Sequence, residues 1–340
     1  MPLNSSTFRA RAEADMRRRT FLLAAGGAAI WPLAARAQRS RPTIGFLASG
    51  SPETFKTVIT GFLDGLNASG FTEGENVAIE YRWAQCQFNL LPALAGELVQ
   101  RPVDLIITMG GNVAALAAKR ATSTVPIVFL TGDDPVSSGL VDSLNRPGGN
   151  ITGVTWLATE LGAKNLELIG ELLPAAEVIG VLINPNRPTA EAQLRNATEA
   201  AGRVEKKLLV LNAGNKEEID NAFATIAQQH IAVLFVSVDP LFIVNRLQII
   251  EAAAKQAVPT LYFQREFVDL GGLMSYGANA QDASRLVGGY AGRIIKGDKP
   301  ADLPVQRSTR IETIINLKTA KSLGLAIPPT LLARADEVIE

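Results

Sequence analysis

From Thr43 onward the chain alternates short apolar runs with longer stretches whose apolar positions recur every third or fourth residue. Thr43-Ile44-Gly45-Phe46-Leu47-Ala48 is almost continuously apolar and predicts a strand covered on both faces. Behind it Phe55, Val58, Ile59, Phe62, Leu63 and Leu66 fall on one face of a helix. Val77 to Arg82 alternates like a strand and Leu90 to Val99 is helical. Val103 to Thr108 is a strand, Val113 to Ala121 a helix, and Pro126 to Leu130 and Ile151 to Thr155 are strands. Strands that alternate with helices in this way build a parallel sheet with helices on both faces.

The rhythm then begins again. Val178 to Ile183, Leu208 to Leu211, Ile231 to Ser237 and Pro259 to Phe263 read as strands, separated by helical stretches at Ala190–Gly202, Glu217–Gln229 and Leu241–Gln256. After Gly272-Leu273-Met274-Ser275-Tyr276-Gly277 come a helix over about 280–296, a Lys296-Gly297-Asp298-Lys299-Pro300 turn, a strand from Ile311 to Ile315 and a final helical part. Two βα series of similar length predict an α/β fold of two Rossmann-like lobes with parallel sheets. The expected division is 42–153 plus 278–303 for lobe I and 154–277 plus 304–340 for lobe II, joined by several chain crossings that act as a hinge. Pro147-Gly148-Gly149-Asn150 and the strand after it mark the first crossover.

The residues before this rhythm follow a different pattern. Arg17-Arg18-Arg19-Thr20-Phe21-Leu22-Leu23 leads into an uncharged run from Thr20 to Ala35 and then Ala35-Arg36-Ala37. A charged segment, a short apolar segment and a small-x-small site, in that order, read as a secretory signal peptide over residues 1–37, cleaved near Ala37. Arg18-Arg19-x-Phe21-Leu22 gives it a twin-arginine character. The run is short for a spanning helix, which needs about 20 residues, and Gly26, Gly27 and Pro32 weaken it further. Met16 offers a second start site. The expected location is the periplasm, with no stable membrane insertion after cleavage.

Composition narrows the classes of function. With residues 1–37 removed the chain keeps 27 basic and 31 acidic side chains, a net charge of −4. A mildly acidic protein without a Lys/Arg cluster is a poor match for nucleic acid, whose binding rests on phosphate neutralisation. The one cysteine, Cys86, forbids an internal disulfide. The one histidine, His230, ends a helical stretch and reads as a helix terminus or solvated residue. These two cannot by themselves hold a metal, and neither a metal nor a cofactor is expected.

Candidate chemistry sits where open parallel sheets place it, beyond the carboxyl ends of the strands. Those positions are polar and glycine-rich. They comprise Ser49 and Ser51 after the first strand, Gly110, Gly111 and Asn112 after the third, and Asp133 after the fourth. The second series offers Asn184, Asp239, Glu266 and Tyr276, and Tyr81, Trp83 and Trp156 could stack on a ring. Glycines let a ligand approach the backbone, and helix N-termini present N–H groups to an anion. Ser49, Ser51, Gly111, Asn112 and Asp133 are expected to surround an anionic group, with Asp239, Glu266 and Tyr276 completing selectivity from the other lobe. Each of these residue types also caps helices in any α/β protein, so the weight lies on the group rather than on one position.

No Gly-x-Gly-x-x-Gly follows the first strand, and neither a Gly-Lys-Ser/Thr phosphate loop, a His-Glu-x-x-His helix nor a Gly-x-Ser-x-Gly elbow is present. What is present is a set of segments that resembles the ABC transporter substrate-binding proteins of the group that includes tryptophan- and tyrosine-binding members. These are Gly74-Glu75-Asn76-Val77-Ala78-Ile79-Glu80-Tyr81-Arg82-Trp83, Ala121-Thr122-Ser123-Thr124-Val125-Pro126-Ile127-Val128, Asp134-Pro135-Val136, Leu144-Asn145-Arg146-Pro147-Gly148-Gly149-Asn150-Ile151-Thr152-Gly153-Val154, Gly271 to Gly277 and Pro300-Ala301-Asp302-Leu303-Pro304-Val305-Gln306. The resemblance implies a type I periplasmic binding fold, a small polar or amino-acid-like solute held between two lobes, and delivery to an ABC permease with its ATPase by a monomer without catalytic residues. An exported α/β enzyme using the same cleft and the ligand-binding component of a sensory system are the rival readings.

Overall fold

The computed structural model describes residues 41–156, 158–187 and 189–340, and the segment read as a signal peptide lies outside them. In chain order the strands are β1 (Thr43–Ala48), β2 (Ala78–Trp83), β3 (Leu105–Met109), β4 (Ile127–Thr131), β5 (Ile151–Thr155), β6 (Val178–Ile183), β7 (Lys207–Asn212), β8 (Val233–Val236), β9 (Thr260–Tyr262), β10 (Met274–Ala278), β11 (Gln306–Arg307), β12 (Ile311–Asn316) and β13 (Glu337–Ile339). The helices are α1 (Lys56–Ala68), α2 (Leu91–Val99), α3 (Asn112–Ala121), α4 (Ala158–Leu172), α5 (Ala190–Arg203), α6 (Lys216–Gln228), α7 (Pro240–Val244), α8 (Arg246–Lys255), α9 (Arg265–Asp269), α10 (Ala280–Ile295), α11 (Leu317–Ser322) and α12 (Pro329–Leu332).

The strands form two sheets. One runs β11-β5-β4-β3-β1-β2 and the other β13-β12-β10-β9-β8-β6-β7. The pairs within the first are parallel, and in the second only β10 and β12 run antiparallel. This is the doubly wound two-sheet arrangement that the alternating pattern predicts. The interior strands β1, β3, β4 and β6 carry almost wholly buried residues, as parallel strands covered on both faces must.

Chain order and sheet membership part company late in the sequence. The helix α10 packs on α1 and shares a core with Phe46, Phe62 and Leu105 of the first sheet's layer through Ala283, Val287 and Tyr290. Glycines permit this packing. A Cβ at Gly61 or Gly65 of α1 would run into the carbonyls of Gln281 and Arg285, and one at Gly288 of α10 into that of Phe62. Small residues on both helices let the two backbones approach to distances that a side chain would forbid. β11 then pairs with β5 in the first sheet before β12 enters the second. The chain thus passes between the layers after β5, after β10 and after β11.

Two local features depart from the sequence pattern. The predicted 241–256 helix divides at Asn245, where φ/ψ of −97°/22° ends α7 and α8 begins. The last stretch also holds the short strand β13, parallel to β12. His230 is exposed with φ of +52°, and the Ile231 amide donates to the Ile226 carbonyl at 3.1 Å. It is the left-handed residue that ends α6, as expected.

Candidate functional site

Each sheet has a point where successive connections leave in opposite directions, between β1 and β3 in the first and between β6 and β8 in the second. The loops splay apart at such a point and leave a crevice beyond the strand ends. Loops from both switch points line one cavity of about 160 Å³. That is close to the ~150 Å³ of a cavity that holds a benzene ring. Thr54, Phe55, Gly110 and Gly111 come to it from the first sheet's loops, and Val238, Phe263 and Gln264 from the second's, with Pro240, Arg246 and Glu266 from the first turns of α7, α8 and α9. Trp156, directly after β5, stands where the chain first leaves the first sheet, and it also walls a smaller space shared with Tyr276 and Asn165.

The strongest electrostatic feature beside the cavity is a bridge between the sheets. Arg187, in the loop after β6, donates from Nη2 to Asp133 Oδ2 at 2.9 Å, and Asp133 follows β4. Arg187 Nη1 also donates to the Val238 carbonyl and lies 3.7 Å from Asp239 Oδ2. One guanidinium thus faces two carboxylates, and all three side chains are buried. Burial pushes the Asp239 carboxyl above the ordinary aspartate value, and Arg187 opposes that shift. Gly111 makes room for the arrangement. Its φ is +95°, and a Cβ there would stand 3.1 Å from Arg187 Nη2.

The remaining sequence-derived candidates separate into lining residues and supports. Gly110, Gly111, Trp156 and Glu266 line the main cavity, and Asp133 and Asp239 form the bridge at its edge. Ser49 donates from its hydroxyl to the Gly110 carbonyl at 3.0 Å and so fixes the glycine loop. Ser51 exchanges hydrogen bonds with Thr54, and it is Thr54 that reaches the cavity. Asn112 accepts from the Thr131 hydroxyl at 2.8 Å, which ties α3 to the end of β4. Asn184 donates to Asp239 Oδ1 at 3.2 Å and orients it. Tyr276 lines only the smaller space beside Trp156.

Tyr81 stands apart from the cavity. Its ring stacks on Trp83 with centroids 5.7 Å apart, and its hydroxyl donates to Glu73 at 3.3 Å. Both rings pack against Phe46 on the first sheet. Burial and the neighbouring Glu73 charge push the Tyr81 phenol upward.

Sequence reasoning missed Arg187, Arg246, Phe55 and Gln264. Arg187 had a signal, since it follows Asn184-Pro185-Asn186 at a strand end already marked as a site. Arg246 had none, because it lay inside what read as one continuous helix. Among the described residues no group of three or more His, Cys, Asp and Glu side chains could hold a metal ion. No helix of the described residues is long and apolar enough to cross a membrane.

Comparison with known proteins extends this picture. The chain is 28% identical over 266 residues, 78% of its own length and 76% of the relative's, to a tyrosine-binding protein of Clostridioides difficile. The structure superposes with TM-score 0.80 and 25% identity on an ABC domain from Streptococcus pneumonia in complex with L-Trp, covering 88% of this chain and 100% of that one. A ligand-free, open substrate-binding protein with adhesive properties from Clostridium difficile, 26% identical and covering 88% of this chain and 99% of that one, superposes less well, with TM-score 0.64. At nearly equal identity the present fold lies nearer the ligand-bound relative than the open one, in keeping with a bridge that joins the two sheets. Residues 47–339 match the model of the ABC transporter substrate binding proteins, a family that binds solutes rather than converting them and has the type I periplasmic binding fold, and the chain belongs to that family.

Proposed function

We propose that this protein binds an amino acid with an aromatic or bulky apolar side chain between its two lobes and hands it to an ABC permease. The observation that carries this reading is the make-up of the cavity. Phe55, Leu130, Trp156, Pro240, Ile243 and Phe263 supply an apolar, ring-sized space, and Arg246 and Glu266 supply charges of both signs on its wall. Apolar walls with a few placed polar groups are what a small-molecule site requires. An amino acid matches both parts, with a zwitterionic head and an apolar body. The tyrosine-binding relative and the L-Trp complex support the same solute class. The residues proposed to touch the solute are Gly110, Gly111, Trp156 and Glu266 from the sequence reading, joined by Phe55 and Arg246. Ser49, Ser51, Asn112, Asp133, Asn184 and Asp239 shape and close the site, and Tyr276 bounds its far end. Export to the periplasm with cleavage near Ala37 belongs to the same reading.

Isothermal titration of the purified protein with the common L-amino acids tests it. Micromolar or tighter binding of at least one of tyrosine, tryptophan and phenylalanine is expected. A folded sample that binds none of the panel overturns the proposal.

A further inference from the structure

The charged groups around the cavity are not equally engaged. Asp133 and Arg187 satisfy each other; Asn184 and the Leu241 amide take one oxygen of Asp239, and its other oxygen, without a hydrogen bond, stands 3.7 Å from Arg187 Nη1. Glu53 and Lys56 are exposed and have water. Glu266 and Arg246 differ in having no ion-pair partner among the described residues. Glu266 Oε2 is shut off from water without any hydrogen-bond partner, and so is Arg246 Nε. Arg246 donates only from Nη1, to the Ile243 carbonyl at 3.0 Å, and no ion pair joins Arg246 to Glu266 among the described residues. Both residues line the main cavity. A charge away from water is costly unless hydrogen bonds and partners offset it; here two of opposite sign stand on one wall with a hydrogen-bonding atom of each left unused, a mould for a group that carries both charges.

We infer that Glu266 and Arg246 are the head-group clamp of the site, Glu266 receiving the ammonium and Arg246 the carboxylate of an α-amino acid. This deepens the proposed function and rests on it. It also makes the α8–α9 side of the second sheet the place where the polar head seats, and it leaves Phe55 and Trp156 to cover the apolar body.

Three probes that share one ring separate the two ends: L-phenylalanine, phenethylamine, which lacks the carboxylate, and 3-phenylpropionate, which lacks the amine. Titration calorimetry of the whole chain, with thermal melting to confirm folding, is run on wild type, Glu266→Gln and Arg246→Met. Hydrogen bonds to charged groups predict losses of about 10- to 100-fold. Glu266→Gln should weaken phenylalanine and phenethylamine and spare phenylpropionate. Arg246→Met should weaken phenylalanine and phenylpropionate and spare phenethylamine. Uniform weakening of all three probes, or unchanged phenylalanine affinity in both variants, overturns the clamp while leaving amino-acid binding intact. If Glu266→Gln does not fold, the Arg246→Met pattern alone decides between a directed carboxylate contact and general damage. A wild type that binds no amino acid overturns both the clamp and the reading beneath it.

Discussion

Arg187 and Asp133, 54 residues apart in sequence and attached to different sheets, meet at 2.9 Å with both side chains less than a tenth exposed. A pair of this kind costs desolvation that its attraction only partly returns, so it is weak evidence for net stability. Its effect is on geometry. The bridge joins the loop after β4 to the loop after β6, so its loss should let those loops separate. Removing one partner leaves the other charge buried, which typically costs about 3–5 kcal/mol. Asp239, 3.7 Å from Arg187, should reduce that loss in Asp133→Ala. We expect Asp133→Ala to raise the radius of gyration in small-angle scattering and lower the denaturant midpoint, and Asp133→Leu combined with Arg187→Met to recover part of that midpoint.

Cys86 offers an independent reporter of the same closure. It sits with Gln85 in a turn where both residues have positive φ, +62° and +51°, and the Gln87 amide donates to the Ala84 carbonyl at 2.7 Å. Its Sγ lies 4.0 Å from the carbonyl of Pro240, across the cleft. Burial, assisted by the Asp239 charge, pushes the thiol up to about 11, so at pH 8 little thiolate is present. Alkylation by iodoacetamide at pH 8 should be slow in wild type and faster in Asp133→Ala. An equal rate in the two proteins would separate the bridge from the closure.

The glycine seam between α1 and α10 predicts opposite effects from one type of substitution. Gly65→Ala and Gly288→Ala place a methyl against backbone that cannot move aside. Overpacking of this sort costs about 1–3 kcal/mol. Gly289→Ala, one residue along α10, meets nothing within 4 Å, and alanine there gains about 0.5–1 kcal/mol from helix propensity. Urea unfolding of the three variants should give this order.

Glu266 gives a pH signature to the empty protein. Burial raises its carboxyl above the ordinary glutamate value, Asp269 and Glu312 push the same way, and Arg246 opposes them. The folded chain therefore holds this proton more tightly than the unfolded chain, and stability declines as pH climbs from the ordinary glutamate value through the raised one. Glu266→Gln removes that decline. The variant should be more stable than wild type at neutral pH in the absence of ligand, and the advantage should shrink as pH falls below the ordinary glutamate range. An advantage independent of pH in thermal melts would assign it to packing.

Much of this protein was legible along the chain because its strands are buried on both faces. Runs such as Val178 to Ile183 and Leu105 to Met109 cannot be half-exposed, and their carboxyl ends mark the crevice wherever the sheets turn. Gly110, Gly111, Trp156 and Glu266 were found by that rule. The rule does not separate a residue that lines the cavity from one that holds a loop, so Ser49 and Asn112 looked the same as Gly111. Tyr81 ends near the site in sequence terms, yet β2 is an edge strand and its rings pack onto the core around Phe46, away from the cavity. Arg187 was hidden because its partner is remote in sequence, and Arg246 because a helix break at Asn245 leaves no glycine or proline to announce it.

The return of α10 and β11 to the first sheet bears on how the chain is made. A ribosome delivers β1 to β5 early, but the seam that covers α1 and the edge strand beside β5 come only with residues 280–307. Until then the glycine-lined face of α1 and the flank of β5 have no cover. Domains of a nascent chain ordinarily fold in the order of their synthesis; here the layer that is begun first is completed only once residues 280–307 have emerged, and the second layer has most of its strands before the first is whole.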